Sequence, residues 1–396
     1  MPLVTTPDGR YTHAITTEGE GDGNDVVYDN WIVPGQMTPV WDKFSYEAGL
    51  GASRPPVVLP PVEPRPPAPV PEPPAPGPAS SATPRVIRVT DASDGDFVPR
   101  MYSYWSNAWI HGNAAYVFAG HVDGLPRFFK VDLTTGAVER LGPMLGFVGT
   151  TEGWYWDANG WIYLLDGTRL MRVSPFTNEA RVVFDLADTH PGCILWQAHS
   201  SDDGQTHSAT VKRVVSDGAY PALGTVVFRK GRQEYFPAQG ELDESQVTPD
   251  GGWLVIKEDD DNRVINLDTR HTQILRDADG AVGHSDCGPH LLVGEDNIHG
   301  ACVLWDLTQP LTPGRRRDLF PTWNMGYVSI RGGRCLHSGE THLNLVALDG
   351  SGETPLIDHG VRSNDYDARV KANLDPSGRV ATYMVDGQVY LLVLPA

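Results

Sequence analysis

From Arg85 onward the chain reads as short runs of alternating apolar and polar residues, broken by turns rich in Gly, Asp and Pro. That alternation is the pattern of strands with one buried face. Five stretches repeat one theme of strand, turn and strand: KVDLTTGAVERLG from Lys130, RVSPFTNEARVVF from Arg172, RVINLDTRHTQIL from Arg263, VLWDLTQPLTPGRRRDLF from Val303 and LVALDGSGETPLI from Leu345. The anchor positions Asp132, Ser174, Asp268, Asp306 and Asp349 lie 42, 94, 38 and 43 residues apart. VVFRKGRQEYF from Val226 fills the double gap. A period of roughly 40–45 residues, with several short strands in each, predicts an all-β fold, a β-propeller.

The 312 residues from Arg85 to Ala396 divide into seven blades of about 45 residues, with six blades as the alternative. The expected blades span 104–142, 147–186, 192–238, 241–277, 281–320, 326–359 and 366–396. The last of these is one strand short. Arg85–Thr90 has strand composition and no partner of its own, so it is expected to supply the missing outer strand and close the ring, hiding two sheet edges. The turns Asp157–Gly160, Ser201–Gly204, Thr248–Gly251 and Asp375–Gly378 each end in Gly, where the backbone needs positive φ.

Ahead of the propeller, residues 1–53 carry eight acidic against two basic side chains and a small aromatic set, Tyr11, Tyr28, Trp31, Trp41, Phe44 and Tyr46. That set is too small for an independent core and large enough to dock on something else, a parent assembly. Residues 54–84 contain 14 prolines and read as a polyproline II spacer, up to roughly 95 Å long if extended.

Net charge is −19, which argues against nucleic acid and anionic membrane surfaces as partners. The triplet Arg315–Arg317 reads as a solvated turn, as do the acidic runs Glu258–Asn262 and Gly294–Asn297. Cys193, Cys287, Cys302 and Cys335 show no CxxC pair and read as buried thiols. No apolar run is long enough to insert in a membrane, and no basic-then-apolar leader opens the sequence. The chain is therefore expected to be made in the cytoplasm without a signal peptide, and to leave, if it does, within a virion or other assembled particle.

In a propeller the first strand of each blade lines the channel, so polar groups at the strand starts are candidates for a site. Those starts give Trp109 and His111, Trp154, Gln197 and His199, Glu244 and Ser245, His284 and Asp286, Ser329, Arg369 and Lys371. Trp109, Trp154, Gln197 and Glu244 are the expected binding residues. His284 and His199 would hold a divalent ion (Mn, Ca or Zn) if one is bound, although no cofactor is the simpler expectation. His199 and His207 flank the turn Ser201–Gly204, where period-two counting places them on neighbouring strands within reach of each other. Tryptophans crowd blades one to three, and those on the rim would stack sugar rings. Gly283-His284 followed by Trp305-Asp306 is similar to the WD40 signature but occurs once.

With its repeats and the Gly283-His284-Ser285 step, the chain resembles the sugar-processing propellers, in particular the oligogalacturonate lyases. That resemblance implies seven blades, a divalent ion on His284 with Gln197 and His199 nearby, and Arg369 at the substrate carboxylate. The last blade reads Tyr366 to Lys371 in place of that family's paired histidines. Three functions follow. The favoured one is a non-enzymatic recognition head on a larger assembly, such as a phage virion or tail, binding a cell-surface glycan or protein. The second is a metal-assisted polysaccharide lyase or hydrolase, with His207 or Tyr366 as base and Arg369 neutralising the substrate. The third is an intracellular scaffold for protein interactions.

Overall fold

The computed structural model describes residues 3–5, 12–17, 27–32, 83–95, 102–122, 125–141, 154–177, 179–215, 220–322, 326–361 and 369–395. They fall into two compact units. The N-terminal unit holds a three-stranded antiparallel meander formed by Leu3–Thr5, Thr12–Thr17 and Val27–Ile32. The sequence reading found no strands there.

The second unit is a seven-bladed β-propeller, each blade a four-stranded antiparallel sheet. The innermost strands are Ala108–His111, Tyr155–Trp156, Cys193–Ser200, Leu242–Val247, Ser285–Gly288, Tyr327–Arg331 and Asn373–Leu374. Strands such as Ile162–Asp166 and Ala301–Asp306 are buried continuously rather than on one face, so both faces of their sheets pack against neighbouring sheets. Leu165, Leu170 and Phe184 of blade two, for example, pack in one cluster with Leu195, Val211 and Val226 of blade three. Each such aliphatic side chain contributes about 1.5–3 kcal/mol by leaving water.

The ring closes where the sequence places the closure. Arg85–Arg88 pairs antiparallel with Gln388–Val393, Leu391 opposite Ile87. Ile87 then packs with Val117 and Val131 of blade one. Arg85 reaches across to the carbonyls of Leu133 and Thr134, so the strand clasps the first and last blades together.

The predicted Gly-ended turns are present, with φ of +80° at Gly160 and +66° at Gly204. Asp157 stabilises the first of them by accepting the N–H groups of Asn159 and Trp161, each at 2.9 Å. The anchor register needs one correction. In blade four Asn266, not Asp268, accepts the turn N–H groups, while Asp268 pairs with Arg229 of blade three. The charge runs are also less solvated than expected. Glu258 and Arg263 form a buried ion pair, and Arg316 lies 2.6 Å from the fully buried Asp296. All four cysteines are buried and unpaired.

Tyr102–Ser106, assigned by the sequence partly to blade one, precedes that blade's first strand and crosses the channel instead, while the Asn107 carbonyl still accepts the Phe118 N–H of blade one. The Ser106 carbonyl accepts Trp156 N–H, and Asn107 Nδ2 donates to the Trp154 carbonyl, both in blade two. Trp105 Nε1 donates to the Ala198 carbonyl of blade three at 3.0 Å. The Tyr104 hydroxyl bonds Glu244 of blade four, and Arg331 of blade six donates to the Tyr104 carbonyl at 2.9 Å. Ser106 Oγ and Asn107 bond Leu374 and Asn373 of blade seven. A segment that touches the inner parts of five other blades lies on the axis.

Candidate functional site

The first strands run from one rim to the other, so their starts mark one channel mouth and their ends the opposite one. At the start mouth, blades four to seven bring together Glu244, Lys257, His284, Tyr327, Arg369 and Lys371. Register sets Glu244 opposite Lys257. Lys257 Nζ lies 2.7 Å from Asp243. The His284 ring lies 4.6 Å from that of Tyr327, and Lys371 Nζ sits 5.3 and 5.5 Å from the rings of Tyr327 and Tyr102.

Burial governs the charge state of this mouth. It pushes the Glu244 carboxyl up to about 8 against the opposing pull of Lys257, so the group is neutral at pH 7. Burial, reinforced by the Lys257 and Lys371 charges, brings the His284 imidazole down to about 4. Its Nδ1 is buried without a hydrogen-bond partner. Burial raises Glu295 to about 7, opposed by hydrogen bonds from Thr322 and Gly326 and by the Arg369 charge. The mouth therefore holds a neutral Glu244 and a neutral imidazole among cations, in a chain of net charge −19.

Other expected site residues go elsewhere. Trp109 and His111 sit at the end of their strand, at the opposite mouth from Glu244 and His284, because that strand begins at Ala108. Trp109 Nε1 donates to the Ala158 carbonyl, and its ring lies so close to Gly160 that a Cβ there would come within 2.6 Å. Trp154 is a core residue, stacked on Phe118 at 5.3 Å and 1% exposed. Tyr366 lies outside the described residues.

The pairing of His199 with His207 is corrected by a β-bulge. Trp196 faces Thr210, which by simple counting would set His199 opposite His207. The bulge at Gln197, where φ is +44°, adds one residue, so His199 faces Ser208 and His207 faces Ser200. Successive residues point to opposite sides of a sheet, and the two imidazoles part. His207 Nδ1 bonds Ser200 Oγ at 2.7 Å, and burial brings its ring down to about 4. His199 lies against the rings of Tyr104 and Trp105, and burial brings it down to about 3. His199 and His284 thus border different aromatic neighbours. Among the described residues no three His, Cys, Asp or Glu side chains gather into a metal site.

The opposite end of the channel is closed around Arg331. Its Nη1 lies 2.8 Å from Asp286 Oδ2, and Asp286 also accepts the N–H groups of Ile330 and Cys287. The free space among Tyr104, Trp105, His199, Asp286 and Arg331 is about 10 Å³, room for about one water. Sequence reasoning missed Tyr102, Tyr104, Lys257 and Arg331. The aromatic run Tyr102-Ser103-Tyr104-Trp105 ahead of the first repeat was the available signal.

No family model matches this chain, and no curated protein matches it in sequence. Solved structures similar to it include a nidogen/laminin complex, 15% identical over 61% of this chain and 92% of that one, with a TM-score of 0.40. A mitotic checkpoint complex aligns with 14% identity over 86% of this chain and 99% of that one, with a TM-score of 0.47. At these identities the likeness is one of fold alone. No helix among the described residues is long and apolar enough to cross a membrane.

Proposed function

We propose that the propeller is a non-enzymatic recognition head, held through residues 1–53 and the proline-rich spacer on a larger assembly such as a phage virion or tail, where it binds a cell-surface glycan or protein. The axial segment carries this reading. The channel groups a catalytic site would use are engaged with the axial segment, Glu244 with Tyr104 and His199 against Tyr104 and Trp105, while His207, on a second strand, bonds Ser200 of its own blade. The order of acidic segment, stiff spacer and head suits a displayed module, in which many copies raise weak contacts to useful avidity. Deleting residues 1–53 tests the tether. The truncated chain is expected to keep the propeller's circular dichroism and melting midpoint while no longer sedimenting with its parent particle. Unchanged incorporation would overturn the proposal.

A metal-assisted lyase or hydrolase has one observation in its favour, the gathering of His284, Arg369 and Lys371 at one mouth. Elemental analysis of purified protein decides between the two. The recognition reading expects no stoichiometric divalent ion. One tightly held ion, lost in His284→Ala, would favour the enzyme.

A further inference from the structure

The small space beside the axial segment, at the Arg331 end of the channel, is lined by residues of blades two to six. His199 of blade three is one of them, 4% exposed, its ring 4.8 Å from that of Tyr104 and 6.0 Å from that of Trp105. Its Nε2 is buried and has no hydrogen-bond partner among the described residues. Burial keeps the ring neutral, so no ion pair offsets the loss. A polar atom buried in this way costs about 1–3 kcal/mol. Folded proteins seldom carry that cost, and internal water is the usual remedy where a polar space adjoins the atom.

Two further groups on the same space can complete a water's partners. Asp202 is fixed through its backbone. Its N–H donates to the Pro249 carbonyl of blade four at 2.8 Å, and its carbonyl accepts the Ala158 N–H of blade two at 3.1 Å. Arg331 Nη2 donates to the Tyr104 carbonyl at 2.9 Å, and a guanidinium Nη carries a second N–H. The Arg331 charge acts on both His199 and Asp202, so the three groups lie close together. The space is about 10 Å³, which admits one water-sized sphere and nothing larger. Water both donates and accepts, so it serves Nε2 in either imidazole tautomer and joins a carboxyl acceptor to a guanidinium donor. We infer that one water molecule is bound on the propeller axis, hydrogen-bonded to His199 Nε2 with Asp202 and Arg331 as its other partners. It is a structural ligand of the axial plug, tying blade three to blade six beside the Tyr104 contact. The inference goes beyond the recognition reading and stands whether the propeller recognises or catalyses.

A high-resolution crystal structure of the full chain tests it directly. A density peak is expected about 2.7–3.2 Å from His199 Nε2. Magnetic relaxation dispersion of the water signal tests it in solution. His199→Phe keeps an aromatic ring against Tyr104 and Trp105 and removes Nε2, so this variant is expected to hold one fewer long-lived water than wild type. An empty position at Nε2 would overturn the inference, as would a peak that bromide substitution shows to be a halide. So would an unchanged count of long-lived waters in a folded His199→Phe. Should that variant fail to fold, the wild-type peak decides alone.

Discussion

Arg331→Ala is expected to lower the unfolding free energy of the propeller by about 3–5 kcal/mol, because it leaves a buried carboxylate without its cation. The Arg331 and Asp286 side chains are 12% and 1% exposed. The guanidinium meets both Asp286 oxygens, at 3.0 and 2.8 Å, and the Tyr104 carbonyl at 2.9 Å. One substitution therefore strands a charge and releases the axial segment from blade six. Two backbone N–H groups would still reach Asp286, which limits the loss without replacing the ion pair. Denaturant titration of wild type and variant measures the difference. Asp286→Leu combined with Arg331→Met is expected to recover part of it, since an apolar pair strands no charge. A loss below about 1 kcal/mol in Arg331→Ala would mean that water reaches Asp286 and that the axis is open.

What the sequence revealed and what it hid divide along the range of the interaction. The blades, their Gly-ended turns and the closing strand are local signals repeated in register, so period and turn chemistry expose them. Arg85–Thr90 stood out because an unpaired strand at one end matched a blade lacking one at the other. The bulge at Gln197 leaves no such mark. It inserts one residue inside a strand whose alternation looks unbroken, and this alone separates His199 from His207. Nor could spacing show that Tyr102–Ser106 leaves its blade for the channel, since its partners lie up to 268 residues away. The cations at the start mouth were half legible. Arg369 and Lys371 sit at the start of a predicted first strand, whereas Lys257 enters from a second strand through its pairing with Glu244.

Glu244→Gln is expected to flatten the stability of the propeller between pH 6.5 and 8. Burial holds the wild-type carboxyl at about 8, against an ordinary 4.5, with Tyr104 and Gln246 bonded to it. Between those values the folded protein keeps a proton that the unfolded chain has released. The stabilising contribution is complete below pH 4.5 and is lost as pH rises to 8, on the order of 4 kcal/mol in all, of which about 2 kcal/mol falls between pH 6.5 and 8. The buried imidazoles act on the other side. His199 at about 3 and His284 at about 4 are neutral in the fold, so their contribution is present above pH 6.5 and lost as pH falls below it. Unfolding measured above pH 6.5 therefore isolates the carboxyl groups, and Glu295 at about 7 is the only other shifted acid on that mouth among the described residues. Glutamine keeps an acceptor for Tyr104 and a donor of its own, yet cannot ionise. Wild type should lose stability steadily toward pH 8, while the variant keeps only the smaller loss that Glu295 contributes as pH rises through about 7. Parallel curves would show that Glu244 is already ionised and wet, so that Tyr104 does not cover it, and a channel open at that point would return the mouth to the candidates for catalysis.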